Sequence, residues 1–98
     1  MIRVLLPAPL AQLAGTTAEL QLEVTAPFTQ RRLLDALEAR HPALAGTTRD
    51  HASGKRRAYL RFFAAGQDLS QDAPDAALPE AVVRGIEPFM IVGAVSGG

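Results

Sequence analysis

Pro88-Phe89-Met90-Ile91-Val92-Gly93-Ala94-Val95 is the stretch on which the fold turns. It is apolar at every second position counted from either end. That describes a central strand with a helix over one side and some shielding on the other. A buried strand needs neighbours in its sheet. The natural one is Ile2-Arg3-Val4-Leu5-Leu6, a short β-branched and apolar run stopped by Pro7 and Pro9. First and last strands would then lie side by side and parallel.

The segments between them supply the remaining elements. Ala18 to Thr25 alternates strictly, placing Leu20, Leu22 and Val24 inward and the polar residues outward, as in a strand with one wet face. The dozen residues before it, with Gly15, are expected to form a longish turn of an antiparallel hairpin. Pro27 ends this strand. Thr29 is a helix cap, Phe28 is placed to staple onto Leu33, and Leu33, Leu34 and Leu37 share one face of a helix running from Gln30 to about Arg40. His41-Pro42 stops that helix. The polar run from Ala45 to Arg57 reads as a long exposed loop or ribbon with little core. Ala58 to Ala64 resumes strand character, with Leu60 and Phe62 on one face and Tyr59, Arg61 and Phe63 on the other. Gly66 punctuates it. Gln67 to Ala77 reads as a surface connection anchored at Leu69, and Leu78 to Val83 as one short helical turn.

Hairpin, helix, strand, short connection and central strand make an α+β chain. The expected architecture is a ubiquitin-like β-grasp: a mixed sheet of four to five strands under one main helix. With 98 residues there is room for one domain, spanning residues 1–98, with a flexible Gly-Gly tail at 96–98. At this length 48% apolar residues suffice to build a core without disulfides or metal. Ten basic and ten acidic side chains cancel, so no whole-molecule field attracts nucleic acid or an anionic membrane. The absence of cysteine excludes a thiol nucleophile, thiolate-bound zinc and iron–sulfur clusters. The opening apolar run is too short for a secretory signal and no stretch is long enough to span a bilayer, so the expected location is cytoplasmic.

Val95-Ser96-Gly97-Gly98 follows the last strand directly. Two residues without Cβ can thread a narrow channel and present an unhindered carboxyl group to another protein's active site. A carboxylate is a poor electrophile until one oxygen joins a good leaving group such as AMP, so its activation requires ATP. On Ile2 to Leu6, Leu33-Leu34-Asp35-Ala36-Leu37, Ala65-Gly66-Gln67-Asp68-Leu69 and Val95-Ser96-Gly97-Gly98, the sequence resembles the MoaD/ThiS family of ubiquitin-like sulfur carriers along essentially its whole length. The resemblance implies that Gly98 is adenylated by a ubiquitin-activating-like enzyme and converted to a thiocarboxylate that donates sulfur. The protein would be a carrier and not an enzyme, with ATP used by its partner and no cofactor bound stably. It also implies that Val95, Ser96 and Gly97 enter the partner's active site, and that Leu69 and Val92 belong to an apolar docking surface near the tail.

Three family branches feed molybdopterin, thiamine thiazole and cysteine synthesis, and some relatives modify proteins through isopeptide bonds. Many molybdopterin-type members carry Pro-Pro before the last four residues where this chain has Gly93-Ala94, and a Gly-Asp turn where it has Gly85-Ile86-Glu87-Pro88. The long polar stretch 45–57 looks like some cysteine-pathway carriers. Length argues against the thiamine branch and places the small subunit of molybdopterin synthase first, with a synthase large subunit as partner.

Other groups point to chemistry less well. His41 and His51 would need to converge with a carboxylate such as Asp50 to ligate a metal, and their spacing does not arrange it, so no metal site is expected. Lys55-Arg56-Arg57 reads as a solvated edge that blocks sheet-to-sheet association. Asp68, Asp72 and Asp75 lack the glycine and terminal glutamate of a calcium loop. Phe63 is either covered by the long loop or open as part of a partner patch.

Overall fold

The computed structural model describes residues 1–93. Five strands form one mixed sheet in the order β2-β1-β5-β3-β4, which is the β-grasp arrangement expected. β1 (Ile2–Leu5) pairs in parallel with β5 (Phe89–Gly93), with Val4 opposite Phe89 and Leu5 opposite Met90. β2 (Glu19–Leu22) is antiparallel to β1, and β3 (Leu60–Ala64) is antiparallel to β5. β2 is shorter than its alternation suggests because its ladder with β1 ends at the Ile2–Leu22 pair; Val24 packs on the core from beyond the strand.

The link between β1 and β2 is not a plain turn. Ala8–Ala14 is a helix, α1, which buries Leu10 and Ala11. Pro7 and Pro9, read as strand stops, sit where a helix N-terminus accepts proline, because the first amides have no intrahelical partner to lose. Gly15 closes the helix at φ 69°, donating its N–H to the carbonyls of Ala11 and Gln12.

α2 (Gln30–Arg40) is the main covering helix. Thr29 is extended, and its hydroxyl accepts from the Arg32 N–H at 3.2 Å. Leu33, Leu34 and Leu37 are fully buried against the sheet. Phe28 remains 37% exposed beside Met1, Val24 and Val83. After a 3₁₀ turn at Pro42–Leu44, the chain enters the polar stretch, which is a ribbon. Arg49 and Arg56 bridge its two arms, and Asp50 caps its turn by accepting from the Ala52 and Ser53 amides.

This ribbon carries more of the structure than its polarity suggests. Leu44 at its entrance and Thr48 within it are wholly buried, and Thr48 Oγ1 has no hydrogen-bond partner among the described residues. Arg49 reaches back to α2, donating to Glu38 at 2.8 Å and Asp35 at 2.5 Å. Burial works against its charge, but the hydrogen bonds it donates to Glu38 and Asp35 more than offset that and raise its pKa. Arg56 donates to the carbonyls of Ser70, Arg57 and Leu60, and Arg57 to that of Gly46. The expectation of a solvated basic edge is therefore corrected for these two arginines, which tie the ribbon to β3 and to the loop after it.

β3 turns directly into a two-residue strand, β4 (Gln67–Asp68), through Ala65 at φ 50° and Gly66 at φ 75°. Two positive φ values in a two-residue loop make the hairpin turn that favours Asn-Gly. Alanine is strained there. Ala65→Asn is expected to stabilise the fold by about 1 kcal/mol, a rise of about 4–8 °C in Tm for a domain of this size; an unchanged or lower melting temperature in a circular dichroism scan would refute it. α3 (Glu80–Val83) buries Val82, and Phe62 meets Phe89 at the centre of the core with ring centroids 5.2 Å apart.

Candidate functional site

β5 brings the chain to Gly93, opposite Leu60 of β3. Val95, Ser96, Gly97 and Gly98, the residues expected to carry the chemistry, lie outside the described residues. What the structure supplies is the surface from which they depart. Phe89 and Ile91 point into the core, so pleating turns Met90 and Val92 outward, each 36% exposed. This side of β5 is thus more open than its continuous apolar run suggests.

The register extends this surface across the sheet. Glu19, Leu5, Met90, Phe63 and Asp68 are successive cross-strand partners in one row spanning all five strands, and Val92 pairs with Arg61 in the next. The middle of the row is apolar and both ends are ion-paired. Arg3 binds Glu19 at 3.1 Å and also donates to the Ile86 carbonyl, while Arg61 binds Asp68 at 3.2 Å. An apolar strip inside a charged rim has the anatomy of a protein interface. The question left by the sequence about Phe63 is answered, since it is half-buried within this strip.

Of the two residues assigned to docking, the structure separates one from the other. Val92 lies on the strip. Leu69 is only 5% exposed, its N–H bonded to the Phe62 carbonyl, and so belongs to the core; as a docking residue it is corrected. Met90 and Phe63 lie on the strip beside Val92, and the parity of β5, with Phe89 and Ile91 inward, is the signal that could have found Met90.

The acidic groups are dispersed. Ser70, through its side chain and its N–H, together with the Arg61 charge, holds Asp68 below the usual carboxylate range. Ser53, Ala52 and Arg57 do the same for Asp50, as Arg31 does for Asp75. Because these folded-state pKa values are depressed, their contribution is complete above the unfolded value of about 3.9 and is lost as pH falls through the folded values. Tm is accordingly expected to drop below about pH 4, with a shallower drop in Asp68→Asn; equal acid sensitivity in that variant would count against it. His51 lies over Gly46 in a charged depression with Asp50, and among the described residues no cluster of three or more His, Asp or Glu can hold a metal. No described helix is long and apolar enough to cross a membrane.

A mixed β2-β1-β5-β3-β4 sheet covered by α2, with its middle strand running out beside an apolar strip, defines a ubiquitin-like β-grasp protein. Neither a protein-family model nor a curated sequence matches the chain. Solved structures do. SAMP1 from Haloferax volcanii is 25% identical, with a TM-score of 0.72 over 98% of this chain and 97% of that one. A chain of the Amycolatopsis orientalis BexX/CysO complex is 17% identical with a TM-score of 0.76 over the full length of both. CysO of Mycobacterium tuberculosis, 18% identical, has a TM-score of 0.75 over 97% of this chain and all of that one. These neighbours are small ubiquitin-like proteins of the MoaD/ThiS type, and the chain shares their fold.

Proposed function

We propose that this protein is a ubiquitin-like sulfur carrier. The Gly98 carboxylate attacks the α-phosphorus of ATP on a ubiquitin-activating-like enzyme, pyrophosphate leaves, and a sulfur donor then displaces AMP to give the thiocarboxylate. The carrier contributes no catalytic group; it supplies the acyl end and the surface that positions it. The observation that carries this reading is the junction of two features at β5: a diglycine a few residues past Gly93 and an apolar strip beginning at Val92. Five residues reach at most about 17 Å, so an enzyme acting on Gly98 must sit against this end of the sheet. The likeness to a chain of a BexX/CysO complex supports a protein that works docked on a partner.

Among acceptors, the large subunit of a molybdopterin synthase comes first, making this chain the small subunit in molybdenum cofactor synthesis; an acceptor in cysteine synthesis comes second. The likeness to small archaeal modifier proteins favours an additional reading, in which Gly98 forms isopeptide bonds with target lysines. The deciding experiment is the intact mass of the protein with Gly98 at its terminus, before and after ATP, a sulfur source and the host's activating enzyme. Replacement of one oxygen by sulfur at Gly98 is the expected result. An unchanged mass with lysine-linked conjugates would leave the modifier alone standing, and neither product would refute both readings.

A further inference from the structure

Nine of the ten basic side chains are arginine, and the tenth is Lys55. A guanidinium stays protonated and does not accept acyl groups in neutral water. Lys55 is therefore the one side-chain amine in the sequence that can. It is exposed on the ribbon, with its backbone held from both sides: its N–H donates to Ser53 Oγ and its carbonyl accepts from the Asp50 N–H at 2.8 Å. Its ammonium pairs with no carboxylate among the described residues.

Lys55 lines a cleft of 370 Å³ with Gln30, Arg56, Ser70, Asp72 and Pro74. The Arg56 guanidinium is fixed in place by the three carbonyls it serves through Nε and Nη1, which leaves Nη2 without a partner among the described residues. Asp72 is exposed and in no described ion pair. No lining residue belongs to the apolar strip, so a chain docked through that strip keeps the cleft accessible.

We propose that this cleft receives the Gly97-Gly98 end of a second copy and that Lys55 Nζ is the acceptor of its activated acyl group, linking the two copies through an isopeptide bond. The inference rests on Gly98 being an activated carboxyl. Lys55 Nζ, having lost its first proton to solvent, attacks the Gly98 carbonyl carbon. The new C–N bond forms, the bond to AMP or to a thiol breaks, the leaving group departs with the bonding pair, and the second proton passes to solvent. Arg56 Nη2 can donate to the carbonyl oxygen as negative charge gathers there.

The test uses the full chain carrying Gly98 as a thioester, made by intein cleavage and incubated at neutral pH. The expected product is two chains joined at Lys55, seen after trypsin digestion as residues 85–98 attached to that side chain. It should outweigh acylation of the Met1 amine. Lys55→Arg should remove the product. Linkage mainly at Met1 or hydrolysis alone would each overturn the proposal. The thioester bypasses ATP, so failure here leaves the ATP-dependent mass gain at Gly98 standing, and failure of that reading shows separately as no mass gain.

Discussion

A chain extended by one alanine beyond Gly98 is expected to fold as well as its parent and to lose thiocarboxylate formation by at least about 100-fold. In the proposed mechanism the reacting group is the Gly98 carboxylate. An added residue moves it by about 3.5 Å and puts a Cβ where two glycines had left none, and a misplacement of about 1 Å already costs roughly 100-fold in a positioned reaction. The fold has no stake in the change. The described core runs from Ile2 to Ile91, and β5 ends at Gly93, so every buried side chain among the described residues precedes the alteration by several residues. Melting temperature and thiocarboxylate yield should therefore separate completely, the first unchanged and the second gone. Undiminished sulfur loading of the extended chain would remove Gly98 from the mechanism.

How much of this could be read beforehand differs from element to element. α2 was legible because three signals agree on it: the Thr29 cap, the Leu33-Leu34-Leu37 face and the Pro42 stop. β1 and β5 were legible through hydrophobicity alone. α1 was hidden because Pro7 and Pro9 are breakers anywhere except a helix start, and seven residues with two buried positions show no periodicity. β4 is two residues long and has no pattern to find. The ribbon misled for a different reason. Its Arg56 and Arg57 look solvated by composition, whereas they donate to backbone carbonyls of Gly46, Leu60 and Ser70, which no side-chain pattern records. Leu69 and Val92 were assigned together to a docking surface, yet only their burial in the folded chain separates a core residue from a surface one.

That separation makes Val92→Glu the informative companion to the tail extension. Val92 is partly exposed and paired with Arg61 on the outer face, so a carboxylate there remains in water in the free protein and should shift stability by no more than about 0.5 kcal/mol. Against a partner enzyme the same carboxylate would be carried into the apolar centre of the interface, where truncation or charge at a central position costs about 2 kcal/mol or more, roughly a 30-fold loss of affinity. The kinetic form of that loss distinguishes docking from chemistry. A contact made equally in ground and transition states raises KM and leaves kcat alone, whereas a misplaced acyl carbon lowers kcat. In an ATP-dependent sulfur-loading assay across carrier concentrations, Val92→Glu should raise KM about 30-fold at constant kcat, and the alanine extension should depress kcat. If Val92→Glu lowered kcat instead, the strip would be positioning the tail and not merely holding the partner. If it changed neither parameter, the partner would have to reach Gly98 from another side of the sheet.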